Sequence, residues 1–163
     1  MGFEEFVGIE QLKSDQLDQL NLFQSWADGS NWSTFHDSHY DWWAFPIDKP
    51  SGKGFRYSVS NEVILDLLLD ATFIDQLRRC SRLLLVSWGW DIDAQKLLDS
   101  PEEGQSWAMW PVRLYKCNRS LKIFQQTDLV ESTQAYARHL IQLGIPLIYD
   151  GRDLTDEILR EGL

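Results

Sequence analysis

Between Thr72 and Gly89 the chain reads TFIDQLRRCSRLLLVSWG, and Phe73, Leu77, Cys80 or Ser81, Leu84 and Trp88 recur every three to four residues. That spacing draws one apolar stripe along an α-helix and leaves the other face polar. The rhythm returns at Leu17, Leu20 and Phe23. It returns again at Leu114, Cys117, Leu121 and Phe124, and along Leu129, Thr133, Tyr136, Ala137, Leu140 and Ile141. Sustained two-residue alternation is missing; FRYSV and PLIYD are short, isolated strand candidates. A chain so patterned buries its stripes helix against helix. Its 163 residues suit a single domain. The expectation is an all-α fold: one compact multi-helix domain of about five to seven helices covering residues 1–163.

Punctuation sets the expected boundaries. Ser14 caps the first helix and Gly29 stops it. A short second helix occupies part of Thr34 to Ala44 and cannot pass Phe45, because Pro46 disfavours α geometry in the residue before it. FPIDKPSGKG is expected to be an exposed loop. Ser58 or Ser60 caps the next helix, and EVILDLLLD, apolar almost all round, reads as the central helix of the bundle. DSPEEGQS is a loop, Pro111 opens a helix, Thr127 caps another, and Gly144-Ile145-Pro146 stops it. A last helix runs from about Asp153 to Arg160.

The net charge is −10, which opposes binding to DNA, RNA or anionic lipid surfaces. Cys80 and Cys117 are read as buried thiols of a reducing compartment, there being no CxxC pair. The amino-terminal MGFEEFVGIEQL is acidic where a signal peptide is basic, and no apolar run approaches a membrane span. A cytoplasmic location is expected.

HDSHYDWWAFPID, residues 36–48, is the stretch most suggestive of chemistry. His36 and His39 would share a face on one helix, with Asp37 and Asp41 supplying oxygens. A zinc or iron site would still need further ligands, and no other segment visibly offers them. The plainer reading has Asp37 or Ser38 capping a short helix and the histidines at the surface. No metal, cofactor or catalytic residue is assigned. GxSxG, GxxxxGK[ST] and GxGxxG are absent. Arg78, Arg79 and Arg82 surround Cys80 in sequence, but helical geometry turns Arg79 and Arg82 away from its face.

Arg113, Lys116, Arg119 and Lys122 recur every third residue and, with Arg78, Arg79 and Arg82, make seven of the 15 basic residues. They form either a solvated flank paired with local acids or a patch for an anionic ligand. Trp42, Trp88 and Trp90 are the candidate aromatics beside such a patch. The candidate ligand-binding set is therefore Trp42, Trp88, Trp90, Arg78, Arg82, Arg113, Lys116 and Arg119.

The order of these pieces resembles the conserved N-terminal domain of the opioid growth factor receptor family. Trp26 stands near the end of the first helix, and Tyr40, Trp43, Phe45 and Pro46 match a motif of the form Tyr-Ile-Gln-Trp-Leu-Phe-Pro. Glu62-Val63, Trp88-Gly89, RLYKCNRSLKIF and HLIQLGI follow in the family's order. The likeness covers roughly residues 22–145; Asp41 and Trp42 depart from the motif, and the repeat-bearing tail of the animal receptors is absent. The resemblance implies a helical fold without catalytic residues. It also implies Tyr40, Trp43, Phe45 and Pro46 as structural anchors, with Trp43 and Phe45 in the core and Trp42 partly exposed. The family's animal members are named for binding an enkephalin peptide and associate with the nuclear envelope, which leaves peripheral membrane association open. The reading is a helical module for a peptide, a protein or a small anionic ligand. The alternative is a metal- or carboxylate-dependent hydrolase-like enzyme using the His36, His39 and Asp41 region.

Overall fold

The computed structural model describes residues 3–108 and 110–163; Met1 and Gly2, the start of the amino-terminal stretch read above, lie outside it. The fold is all-α. Its elements are α1 (Ile9–Asp28), α2 (Trp32–Asp37), α3 (Asp41–Ala44), α4 (Asn61–Leu68), α5 (Ala71–Ser87), α6 (Pro111–Ile123), α7 (Thr127–Gln142) and α8 (Thr155–Leu159). Two minute antiparallel pairs complete it, β1 (Trp90–Asp91) with β2 (Lys96–Leu97) and β3 (Ile148–Tyr149) with β4 (Arg152–Asp153). PLIYD thus contributes a strand, whereas FRYSV does not. Among the described residues no helix is long and apolar enough to cross a membrane.

α1 packs on α5 and α3, α6 on α7, and α8 on both α6 and α7. The α5 stripe is buried as its spacing predicts, from Phe73 through Leu77, Cys80, Ser81 and Leu84 to Trp88. Its start is fixed by Asp70, whose carboxylate accepts the Phe73 amide at 3.0 Å. Ser60 caps α4 in the same way through the Val63 amide. Gly144 takes a left-handed φ of 79°, and its amide and that of Ile145 return to the carbonyls of Ile141 and Leu140.

Several boundaries differ from the sequence reading. α1 begins at Ile9, five residues before Ser14, because the opening turn is closed by the Gly8 carbonyl rather than by a side-chain cap. The single short helix expected before Pro46 is two, α2 and α3, parted where Ser38 is extended and Ser38 Oγ donates back to the Thr34 carbonyl. This division takes the helix count to eight among the described residues. Gln126, not Thr127, precedes α7, and α8 is shorter than expected. Ile141, counted in the α7 stripe, is exposed. Phe45, Pro46 and Ile47 are buried, so the exposed loop begins later than FPIDKPSGKG implied.

The largest correction concerns which helix is central. α4 buries Val63 and Leu67 but leaves Leu65 64% and Leu69 89% exposed, so EVILDLLLD is a peripheral helix. The centre is α6, buried at every position except Val112 and Lys122. The most basic helix of the chain is therefore its most enclosed one.

Candidate functional site

The cations of α6 explain how this is possible. Three residues advance a helix by about 300°, so each successive cation is turned roughly 60° about the axis from the last. Four such positions fan across half the circumference and reach four different segments. The Arg113 guanidinium donates to the carbonyls of His36 at 2.8 Å and Ser38, closing the end of α2, and to the Tyr40 hydroxyl at 3.1 Å. Its carbon lies 4.5 Å from the Tyr40 ring centre. Lys116 Nζ meets Asp41 at 2.7 Å, in a pair whose side chains are about a tenth exposed. Arg119 grips Asp48 with both arms, at 2.7 and 3.0 Å. Lys122 donates to the carbonyls of Glu157, Ile158 and Gly162 and so holds the end of α8; burial lowers its pKa. These four cations are thus inward struts rather than a solvated flank.

A cavity of about 700 Å³ opens between the fan and the loops facing it. Its apolar wall includes Trp42, Ile47, Trp110, Val112, Tyr115, Tyr149 and Leu154. Its charged lining consists of Lys49, Arg113, Lys116 and Arg152 against Asp41 and Asp150. Asp41 is occupied by Lys116, and Arg152 by Glu157. Among the described residues Arg113, 2% exposed, has no carboxylate partner. His39 lies between the two indoles, its ring centre 6.2 Å from each of Trp42 and Trp110. Trp110 has a φ of 112°, a left-handed value that is costly for a residue with a Cβ. Arg113 at 5.6 Å and Tyr149 at 6.1 Å flank its ring. Strained aromatics held beside a cavity are a feature of ligand sites.

The cavity gathers some of the expected site residues and not others. Trp42, Arg113 and Lys116 line it. Arg119 is spent on Asp48. Arg78 forms a two-armed pair with Asp128, at 2.9 and 2.7 Å, and Arg82 pairs with Asp93 at 2.9 Å; neither lines the cavity. Trp88 and Trp90 are buried against Tyr136, and the Trp90 indole donates to Ser132. They belong to the core on the α7 side rather than to a patch with the basic residues. Trp110, Tyr149, Lys49 and Tyr115 were missed. Trp110, immediately before the helix-opening Pro111, carried the clearest signal, since a large aromatic at a helix entrance has little of the helix to pack on.

Among the anchors, Tyr40, Phe45 and Pro46 are buried, but Trp43 is half-buried and fixed by a 3.0 Å hydrogen bond from its indole to Gln19. Trp42 is partly exposed, as expected. His36 is not a simple surface residue: Nε2 is 2.7 Å from the Gly104 carbonyl. His36 lies on α2 and His39 beyond its end, so the two do not share a helix face. Neither Asp37 nor Ser38 caps a helix start. Asp41 is held by Lys116. Among the described residues no group of three or more His, Cys, Asp or Glu is placed to hold a metal ion. Burial pushes both thiols upward, Cys117 to about 12, so neither offers a ready thiolate.

No family model, no curated protein and no solved structure matches this chain.

Proposed function

We propose that the protein is a non-enzymatic helical binding module, similar to the opioid growth factor receptor domain, acting in the cytoplasm and taking an anionic ligand with a flat or apolar part into the α6 cavity. One observation carries the reading. In a chain of net charge −10, the cavity is lined by four cations and two carboxylates; Lys116 is paired with Asp41 and Arg152 with Glu157, which leaves Lys49 and Arg113 against Asp150. The field of the whole molecule attracts cations, so a locally positive aromatic recess has a purpose that solubility does not supply. Its size falls within the range of small-molecule sites. The indoles give contact area at low entropy cost, and buried Arg113 gives a fixed positive charge. A peptide side chain with the same chemistry would fit the same recess.

The test compares two ligands of one shape and opposite charge, benzoate and phenylammonium, by calorimetry at low and high salt. The reading expects benzoate to bind and to weaken with salt, and phenylammonium not to bind. Preference for the cation would refute it, since the net charge alone would account for that result.

A further inference from the structure

Lys49, Pro50, Ser51 and Gly52 form one rim of this cavity, and Lys53 follows them in the same turn. Ser51 and Gly54 exchange backbone hydrogen bonds at 3.0 and 2.9 Å, and the Lys53 amide donates to Ser51 Oγ at 3.1 Å. The turn is therefore built, not loose. Its remaining donors are uncommitted. The Gly52 amide and the Trp42 indole N–H have no acceptor among the described residues. The Ser51 hydroxyl accepts one bond and keeps its own proton. Lys49 and Lys53 have no ion-pair partner among the described residues, and the Lys53 ammonium lies 5.1 Å from the Trp42 ring centre.

Of the carboxylates nearby, Asp41 is held by Lys116 and Asp48 by Arg119, while Glu5 approaches the turn at Gly54 and Asp150 lines the same cavity. Gly52 itself is telling. Gly54 needs glycine for its φ of +61°, but Gly52 is not in the left-handed region. A Cβ there would meet Trp42 Nε1 at an ordinary 3.8 Å. Neither backbone strain nor crowding calls for a glycine, yet its bareness leaves open the space in front of the indole N–H. A bare backbone at this point of the turn admits close approach of a ligand.

Resting on the anion-binding reading above, we infer that the Lys49–Lys53 turn and the Trp42 indole N–H form a phosphoryl subsite, and that the ligand is a small organic phosphate monoester carrying a flat ring. A carboxylate has two oxygens in one plane and satisfies few of these donors. A phosphoryl group has three terminal oxygens and about two charges, matching two lysines and several N–H and O–H donors arrayed around a turn. The ring packs on the aromatic wall beyond.

Phenyl phosphate, benzoate, inorganic phosphate and a phosphotyrosine peptide are titrated calorimetrically into the full chain and into the Lys53→Gln and Gly52→Ala variants. Both changes are at exposed positions, and thermal melts serve to check that the variants fold. Phenyl phosphate is expected to bind at least about tenfold more tightly than benzoate or inorganic phosphate. Both variants should remove that advantage, lowering phenyl phosphate affinity by a larger factor than benzoate affinity. Equal affinity for benzoate and phenyl phosphate overturns the phosphoryl subsite and leaves the anion-binding cavity standing. An advantage that survives both variants places the phosphate elsewhere and overturns it too. A peptide binding tenfold more tightly than phenyl phosphate overturns the small-molecule assignment. Failure of every anion to bind removes both readings.

Discussion

Phe45 and Trp43 stand two residues apart and differ in what they bury. Phe45 is fully enclosed, while Trp43 keeps one side toward solvent and a hydrogen bond to Gln19. Phe45→Ala is expected to cost about 3–5 kcal/mol in denaturant melts, and Trp43→Ala about 1–3. The reverse order would restore Trp43 as the main anchor. Gly89 is fixed more tightly than either. Its φ is +80°, and an added Cβ would lie 2.8 Å from the Gln105 carbonyl oxygen. Gly89→Ala therefore adds backbone strain of about 1–3 kcal/mol to a steric conflict that cannot relax without moving backbone. A variant melting within a degree of the parent would contradict this. Asp128 gives a pH signature. The hydrogen bonds from Arg78 lower its pKa from 3.8 to about 2. A depressed carboxylate stabilises the fold above its ordinary pKa and loses that contribution as pH falls toward the lowered one. Arg78→Ala should thus diminish stability at neutral pH and have less effect by pH 2. The pair is solvent-screened, so the difference is up to about 1 kcal/mol.

At the scale of the helix, α6 shows both what sequence can convey and where it stops. The stripe of Leu114, Cys117, Leu121 and Phe124 was visible because apolar residues at helical spacing have one economical arrangement, and all four are buried. The fate of Arg113, Lys116 and Arg119 was not visible. A three-residue repeat of cations predicts a surface unless the partners are known, and those partners lie far away in sequence, at Tyr40, Asp41 and Asp48. The converse holds for α4, whose leucines suggested the interior although Leu65 and Leu69 are exposed. The Lys116–Asp41 pair permits a double-mutant test. Lys116→Met leaves a buried carboxylate alone and should cost about 3–5 kcal/mol. Adding Asp41→Leu should recover most of that loss, since a buried ion pair is often no better than apolar residues filling the same space. Additive losses in the double variant would mean that the two side chains act separately.

For the whole molecule, the helical class and the run of buried stripes were legible in the sequence, and the cavity was legible in part. Trp42, Arg113 and Lys116 meet there because the fan of α6 brings the 40–49 segment and the β3–β4 hairpin around one face of the helix. Trp88 and Trp90, equally plausible from composition, are packed with Tyr136 instead. The proposed ligand site thus involves one group of indoles, Trp42 and Trp110, and not the other. The chain contains eight tryptophans, each with an indole N–H that NMR can resolve and single Trp→Phe variants can assign. During titration with benzoate at low salt, the Trp42 and Trp110 indole signals should move together along one saturable curve, while those of Trp88 and Trp90 stay in place. Movement of Trp88 and Trp90 with Trp42 and Trp110 unmoved would contradict the α6 cavity as the binding site.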